Sequence, residues 1–121
     1  MAGKIIADQI EHSTAGSLDT SYVVNGSAKA WATINGSSGT PSLTFSLNCA
    51  SNTDLGVGSY RTNLTSAMSS ANYPITTNDN ERGCGECNPN NASYVDVTIR
   101  NPTNLATVDA TAYFVLNGDL A

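Results

Sequence analysis

The chain has 121 residues and a net charge of −5, and only 12 % of its residues are charged. This length fits one domain that can bury a core of its own. The low charge, together with abundant Ser, Thr, Asn and Gly, indicates an all-β protein and disfavours a helical enzyme or a disordered tail. Because the basic residues are few and scattered in an acidic chain, we expect no nucleic acid as a partner.

The N-terminal residues show no targeting or membrane signal. Residues 1–13 lack the unbroken apolar stretch of a signal peptide, and no stretch of the chain approaches the roughly 20 apolar residues of a membrane helix. We therefore expect synthesis in a cytoplasm and no membrane insertion. Residues 1–12 are interpreted as an N-terminal arm or attachment strand, and residues 13–121 as the folded domain.

Two Asn-Gly pairs, Asn25-Gly26 and Asn35-Gly36, bracket the first clear strand pattern. Asn-Gly favours tight turns because both residues tolerate positive φ. A short extended piece, residues 21–24, is expected to lead into the first turn. Between the turns, residues 27–34 alternate, with small apolar side chains on one face and Trp31 on the other. We expect both faces to be covered, one by the domain core and one by a second sheet layer or a neighbouring subunit.

Further alternating segments follow along the chain. Residues 42–49 predict a strand with Leu43, Phe45, Leu47 and Cys49 facing inward. A turn is expected over residues 50–58 and a long loop over residues 78–91. The remaining predicted strands cover residues 59–65, 73–77, 92–100 and 106–116. Together these segments predict a small antiparallel β-sandwich or jelly roll of about seven to eight strands.

Cys84 and Cys87 form the sharpest chemical motif, a C-x-x-C within the predicted long loop. Such a pair can hold a metal, exchange disulfides or close a small disulfide loop, and it can also be two free thiols. A zinc site at these two cysteines would need further ligands, for which Cys49 and His12 are available. We expect no metal and no cofactor, and redox catalysis is disfavoured because the chain shows no βαβ pattern.

Surface residues, rather than catalytic ones, are the candidates for function. His12 has no nearby Ser–Asp arrangement, and the carboxylates lack the spacing of a glycosidase pair, so no catalytic residue is expected. Outward-facing aromatic rings suit sugar stacking or a subunit interface. Charged residues of the predicted loop add polar contacts. The candidate receptor-contact or subunit-contact residues are Trp31, Tyr94, Tyr113, Asp79, Glu81, Arg82 and Glu86.

Three segments together resemble a module of bacteriophage tail-fibre and other virion proteins. The most specific is Tyr22-Val-Val-Asn-Gly-Ser-Ala-Lys-Ala-Trp31 with Asn35-Gly36. Looser matches are residues 58–73, with a Gly-x-Tyr strand and an Ala-Asn-Tyr segment, and the closing strand, residues 112–118. The resemblance implies a non-enzymatic β domain in the virion, made in the host cytoplasm. The paired cysteines depart from the module's pattern, so their loop would be this protein's own addition.

The resemblance also implies partners and a position in the particle. A homotrimer is expected, as in many tail fibres, with this domain at the tip of the fibre as a receptor-binding domain that contacts a glycan or protein of the host surface. Three weak sites on one trimer would raise avidity. The alternative within the virion is a capsid decoration or cement protein, or a tail adaptor, which contacts other virion proteins and has no receptor role. A small depolymerase and a zinc-binding module are the alternatives outside this class.

Overall fold

The computed structural model of the chain describes residue 3 and residues 6–80, 84–89 and 91–121. The described part contains ten strands and one helix. Their bounds are β1 Gln9–His12, β2 Gly16–Asp19, α1 Thr20–Gly26, β3 Ala28–Asn35, β4 Ser42–Leu47, β5 Cys49–Gly56, β6 Ser59–Leu64, β7 Ile75–Asp79, β8 Cys84–Asn88, β9 Tyr94–Arg100 and β10 Thr111–Asn117.

Eight of these strands form two four-stranded antiparallel sheets that pack face to face. Sheet I has the strand order β4-β3-β10-β7, and sheet II has the order β5-β6-β9-β8. The inward side chains of both sheets form one apolar cluster, in which Ile34, Tyr60, Val97 and Phe114 are fully buried. The expected all-β antiparallel sandwich is therefore confirmed. The described strands exceed the predicted seven or eight because β1 and β2 form an additional hairpin.

The central strands of both sheets alternate between mainly apolar residues that face the core and more exposed residues that face outward. In β9, Val95, Val97 and Ile99 are buried while the residues between them are partly exposed. The same period of two holds in β6 and in β10, and it is the pattern of a strand with one face on a core. In β3, the small inward residues Ala30 and Ala32 allow close approach of the two sheets, and Trp31 lies on the outer face.

The prediction of an extended piece at residues 21–24 is wrong, because these residues belong to helix α1. The Asp19 carboxylate accepts a hydrogen bond of 2.8 Å from the N–H of Ser21 and thereby caps the helix. That bond holds the pKa of Asp19 below its usual range. Asn25 and Gly26 end the helix instead of forming a hairpin turn. A local cap has thus outweighed the β preference of the two valines in this segment.

The strand predicted over residues 42–49 is divided between the two sheets. Asn48 adopts a φ of 56°, which turns the chain from β4 in sheet I to β5 in sheet II. Its side chain stabilises the corner, since the carbonyl oxygen accepts from the N–H of Ser66 at 2.7 Å and the amide donates to the carbonyl of Ser66 at 3.0 Å. Asparagine tolerates this left-handed conformation better than most residues do.

Two predicted connections contain strands. The turn expected over residues 50–58 is largely β5, which pairs with β6. The loop expected over residues 78–91 includes the end of β7 and all of β8, which pairs with β9. Both strands lie at sheet edges and carry mainly polar residues, so apolar alternation is too weak there to mark them.

Tyr60 fixes one end of the sandwich. Its ring is buried, and its hydroxyl lies 3.3 Å from a carboxylate oxygen of Asp109, to which it donates. Gly36 packs directly on this hydroxyl, and a Cβ at residue 36 would also lie 2.6 Å from the carbonyl oxygen of Ala110. Only glycine fits such a close approach of backbone to side chain.

Candidate functional site

The structure places the predicted contact residues in separate regions. Trp31 and Tyr113 share the outer face of sheet I, whereas Tyr94 and Glu86 lie on strands of sheet II. Asp79 is the last residue of β7. Glu81 and Arg82 lie outside the described residues. The predicted residues therefore do not form one site: Trp31 and Tyr113 belong to one surface, and Tyr94 and Glu86 to another of contrasting chemistry.

The outer face of sheet I carries an exposed apolar surface, which we call the apolar face. Register places Trp31 of β3 between Leu47 of β4 and Val115 of β10. Next to this row, Thr33 lies between Phe45 and Tyr113. Directly opposite residues of antiparallel strands project to the same side of a sheet. The apolar face consists of Trp31, Phe45, Leu47, Tyr113 and Val115, all of them exposed in the described structure.

Phe45 and Leu47 were predicted to face the core, and that prediction is wrong. Phe45 is 68 % exposed and Leu47 is 48 % exposed. The pairing of β3 with β4 shifts register between Thr33 and Ile34, where β4 contributes one extra residue. Such a bulge reverses the inward and outward positions beyond it. Leu43, before the bulge, keeps its predicted contact with the core, while Phe45 and Leu47 turn outward.

The aromatic content of the apolar face suits contact with a partner. Trp, Tyr and Phe are the residue types enriched at protein interfaces. From the exposed fractions and the full side-chain areas, the five side chains leave roughly 450 Å² of surface in water. No charged residue lies in the two rows just described.

The outer face of sheet II, which we call the polar face, has the opposite character. Arg61 of β6 and Asp96 of β9 form a bidentate ion pair with two N···O distances of 2.7 Å. The hydrogen bond to Asp96 raises the pKa of Arg61. The Arg61 guanidinium also lies 3.8 Å from the centre of the Tyr94 ring. One face of that ring is therefore covered, and sugar stacking is open at most to the other.

A second ion pair borders a shallow groove on the polar face. The Nε of Arg100 donates to a carboxylate oxygen of Glu86 at 3.0 Å. The groove has a volume of about 270 Å³, close to the lower end of the range for small-molecule sites. Its lining residues are Leu55, Ser59, Glu86, Asn88, Asp96, Thr98 and Arg100. Charged and hydroxyl groups in a shallow groove suit hydrogen bonding to a polyhydroxylated ligand.

The sequence-based search missed Arg61, Asp96 and Arg100. Their strands alternate clearly enough to place Asp96 and Arg100 on the same outward side as Tyr94. The ion pair with Arg61 depends on the pairing of β6 with β9 across a long sequence separation. No local signal in the sequence specifies that pairing, so the polar network could not be predicted from the sequence alone.

The cysteine motif lies in a strand rather than in a loop. Cys84 and Cys87 occupy the two ends of a four-residue stretch of β8, so their Cα atoms are about 10 Å apart at the strand rise of about 3.3 Å per residue. A disulfide joins Cα atoms less than about 7 Å apart, and therefore this backbone excludes one between the pair.

The two cysteines whose side chains are described are partly buried and free. Burial raises the pKa of Cys49 to about 11 and that of Cys87 to about 12. Both thiols are therefore protonated at neutral pH, whereas a nucleophile or metal ligand must be a thiolate. Among the described residues, no group of three or more His, Cys, Asp and Glu side chains is arranged to hold a metal ion.

Comparisons with protein-family models, with curated protein sequences and with solved structures found no match to this chain. The resemblance to the phage tail-fibre module stays a prediction. In the described part of the chain, no helix is long and apolar enough to cross a membrane.

Proposed function

We propose that this protein is a structural subunit of a bacteriophage particle, a tail-fibre tip that self-associates as a homotrimer and binds the host cell surface. The observation that supports this role best is the contrast between the two outer faces of one sandwich. The apolar face suits contact with another subunit, and the polar face suits contact with a polar ligand. The assignment to a virion rests on the resemblance of residues 22–36 to the tail-fibre module.

The polar face is the proposed receptor surface. Two ion pairs, Arg61–Asp96 and Arg100–Glu86, hold four charged side chains in place beside the groove. Because these side chains are already ordered, a ligand that hydrogen bonds to them loses little of their conformational freedom. We therefore propose a host glycan as the ligand, bound weakly by each copy and more tightly by the oligomer.

A binding experiment tests the receptor role. The purified protein is applied to an immobilised panel of bacterial envelope polysaccharides, and binding is compared between the natural chain, Glu86→Gln and the control Asp119→Asn. Each variant removes one carboxylate charge, and Asp119 lies outside the groove lining. We expect at least one polysaccharide to be bound, with binding at least tenfold weaker for Glu86→Gln and unchanged for Asp119→Asn. Equal binding by all three proteins would contradict the proposed surface.

A second experiment tests the location. An antibody against the protein is used on density-gradient fractions of lysed producing cells, and on the particles themselves by immunogold electron microscopy. We expect the protein to sediment with tailed particles and the label to lie at fibre tips. Protein found only in the soluble fraction would contradict the virion role.

A second candidate function is a capsid decoration protein or a tail adaptor. The observation in its favour is the segment of residues 6–26, in which apolar side chains such as Ile10 and Tyr22 are exposed. Attachment to another virion protein would cover them. Immunogold label on the capsid surface or at a tail junction, with no polysaccharide binding, would favour this candidate over the tip.

A further inference from the structure

The first observation is that the segment outside the sandwich extends beyond the predicted arm of residues 1–12: residues 6–26, which we call the arm, fold apart from both four-stranded sheets. The arm comprises β1, β2 and α1, and β1 pairs only with β2. Of its described side chains, that of Thr20 alone is partly buried and the rest are exposed. Isolated two-stranded hairpins and isolated helices of seven residues are marginal in water. The arm therefore needs a surface to pack on.

The arm carries an apolar set of its own. Ile10 and Leu18 are directly opposite in the β1–β2 hairpin, so they project to the same side of it. Helix α1 adds Tyr22, Val23 and Val24, and none of its residues is buried. The chain thus presents two exposed apolar surfaces, the arm and the apolar face, which do not cover one another within one copy.

The arm is held away from the apolar face of its own copy. A single residue, Ser27, separates α1 from β3. The end of the helix is tied to the end of β10, because the side-chain amide of Asn117 donates to the carbonyl of Gly26 at 2.8 Å and the N–H of Gly118 donates to the carbonyl of Asn25 at 3.2 Å. This short, anchored joint leaves no linker with which the arm could fold back.

The areas favour a contact between unlike surfaces of two copies. The five apolar side chains of the arm named above expose roughly as much surface as the five of the apolar face, about 450 Å² for each set. Packing of one apolar face on another would also bury about 450 Å² per partner, but it would leave the arms of both copies exposed. A copy in a closed ring makes two contacts of about 450 Å² per partner, one through its arm and one through its apolar face, so that both surfaces, about 900 Å² per copy, are covered.

We propose that the arm of one copy docks on the apolar face of a second copy, so that copies of this chain join by arm exchange. This inference rests on the self-association in the proposed function and specifies its contact. An arm-to-face contact is directional, and directional contacts close into a ring when the rotation permits. A closed ring of three would produce the expected trimer with each arm and each apolar face covered.

Complementation between two variants tests arm exchange. The arm variant carries Leu18→Asp and Tyr22→Asp, the face variant carries Phe45→Asp and Leu47→Asp, and the control is Leu105→Asp. All five side chains are exposed, so the fold of one copy should survive, which circular dichroism checks. Masses are measured by light scattering and by sedimentation velocity for each protein alone and for an equimolar mixture of the arm and face variants.

Arm exchange predicts a distinctive pattern of masses. The natural chain and the control are oligomers, and each double variant alone has the 12.5 kDa mass of one chain. At high protein concentration the mixture forms a pair of twice that mass, because the intact arm of the face variant docks on the intact face of the arm variant through one contact of about 450 Å² per partner. A natural chain that is monomeric, a double variant that stays oligomeric, a mixture that stays monomeric or a control that dissociates would each overturn the proposal.

Arm exchange and the proposed function can be refuted independently of each other. If the mixture pairs as expected but the protein is absent from virus particles and binds no polysaccharide, arm exchange stands and the proposed function falls. If the protein is found at fibre tips but the mixture stays monomeric, the proposed function stands and arm exchange falls.

Discussion

Substitution of Phe45 distinguishes the structure from the position that alternation of inward and outward residues along the sequence would predict. The sequence pattern places it in the core, whereas the structure leaves it 68 % exposed on the apolar face. Full burial of a phenylalanine side chain is worth about 1.5–3 kcal/mol. Since only about a third of the ring is covered, we expect Phe45→Ala to lower the free energy of unfolding of one copy by about 0.5–1 kcal/mol.

Phe114 provides the matched comparison. It is 2 % exposed and belongs to the central cluster between the sheets. Replacement of a buried phenylalanine by alanine removes its contacts and leaves a cavity, at a cost of about 3–5 kcal/mol. Phe114→Ala is therefore expected to destabilise the chain several times more than Phe45→Ala.

The assay is urea denaturation followed by circular dichroism. It is run at a protein concentration at which sedimentation shows single chains, so that subunit contacts do not contribute. Equal losses of 3 kcal/mol or more for both variants would refute the bulge in β4 and return Phe45 to the core.

Three further predictions concern individual residues. Gly36→Ala is expected to lower the unfolding free energy by about 1–3 kcal/mol, because its methyl group overlaps the Tyr60 hydroxyl; an unchanged melting temperature would show that this end of the sandwich is loose. Asp19 has a lowered pKa, so its capping bond to Ser21 persists above its ordinary pKa of 3.8 and is lost as the pH falls through the lower folded value. An NMR titration of the Ser21 amide measures this, and a midpoint above 3.8 would contradict it. Cys87, with a pKa of about 12, should resist alkylation by iodoacetamide at pH 8 in the folded chain, as read by peptide mass spectrometry; labelling at the rate of the urea-unfolded chain would contradict its burial.

The central strands were predictable because burial on one face imposes a period of two. Residues 27–34 and 92–100 show that period directly, and they are β3 and β9 within a residue or two. Helix α1 was not predictable from this period, since a single capping carboxylate at Asp19 decides it locally. Edge strand β8 was missed because its mixed composition shows no alternation of apolar and polar residues.

The candidate surfaces were predictable only in part. Trp31 and Tyr113 were correctly placed on outer faces by alternation. Phe45 joins them because of one extra residue in β4, and a register shift of one residue leaves no mark in the sequence itself. The network around Arg61 depends on which strands become neighbours, and that choice is made by the packing of the whole sandwich.

The mass of the natural chain in solution tests the central claim most directly, namely that the apolar face is a contact surface between copies. Light scattering across a hundredfold range of concentration is the measurement. We expect a trimer that persists on dilution to the low micromolar range. A mass of 12.5 kDa, that of a single chain, at every concentration would contradict the claim.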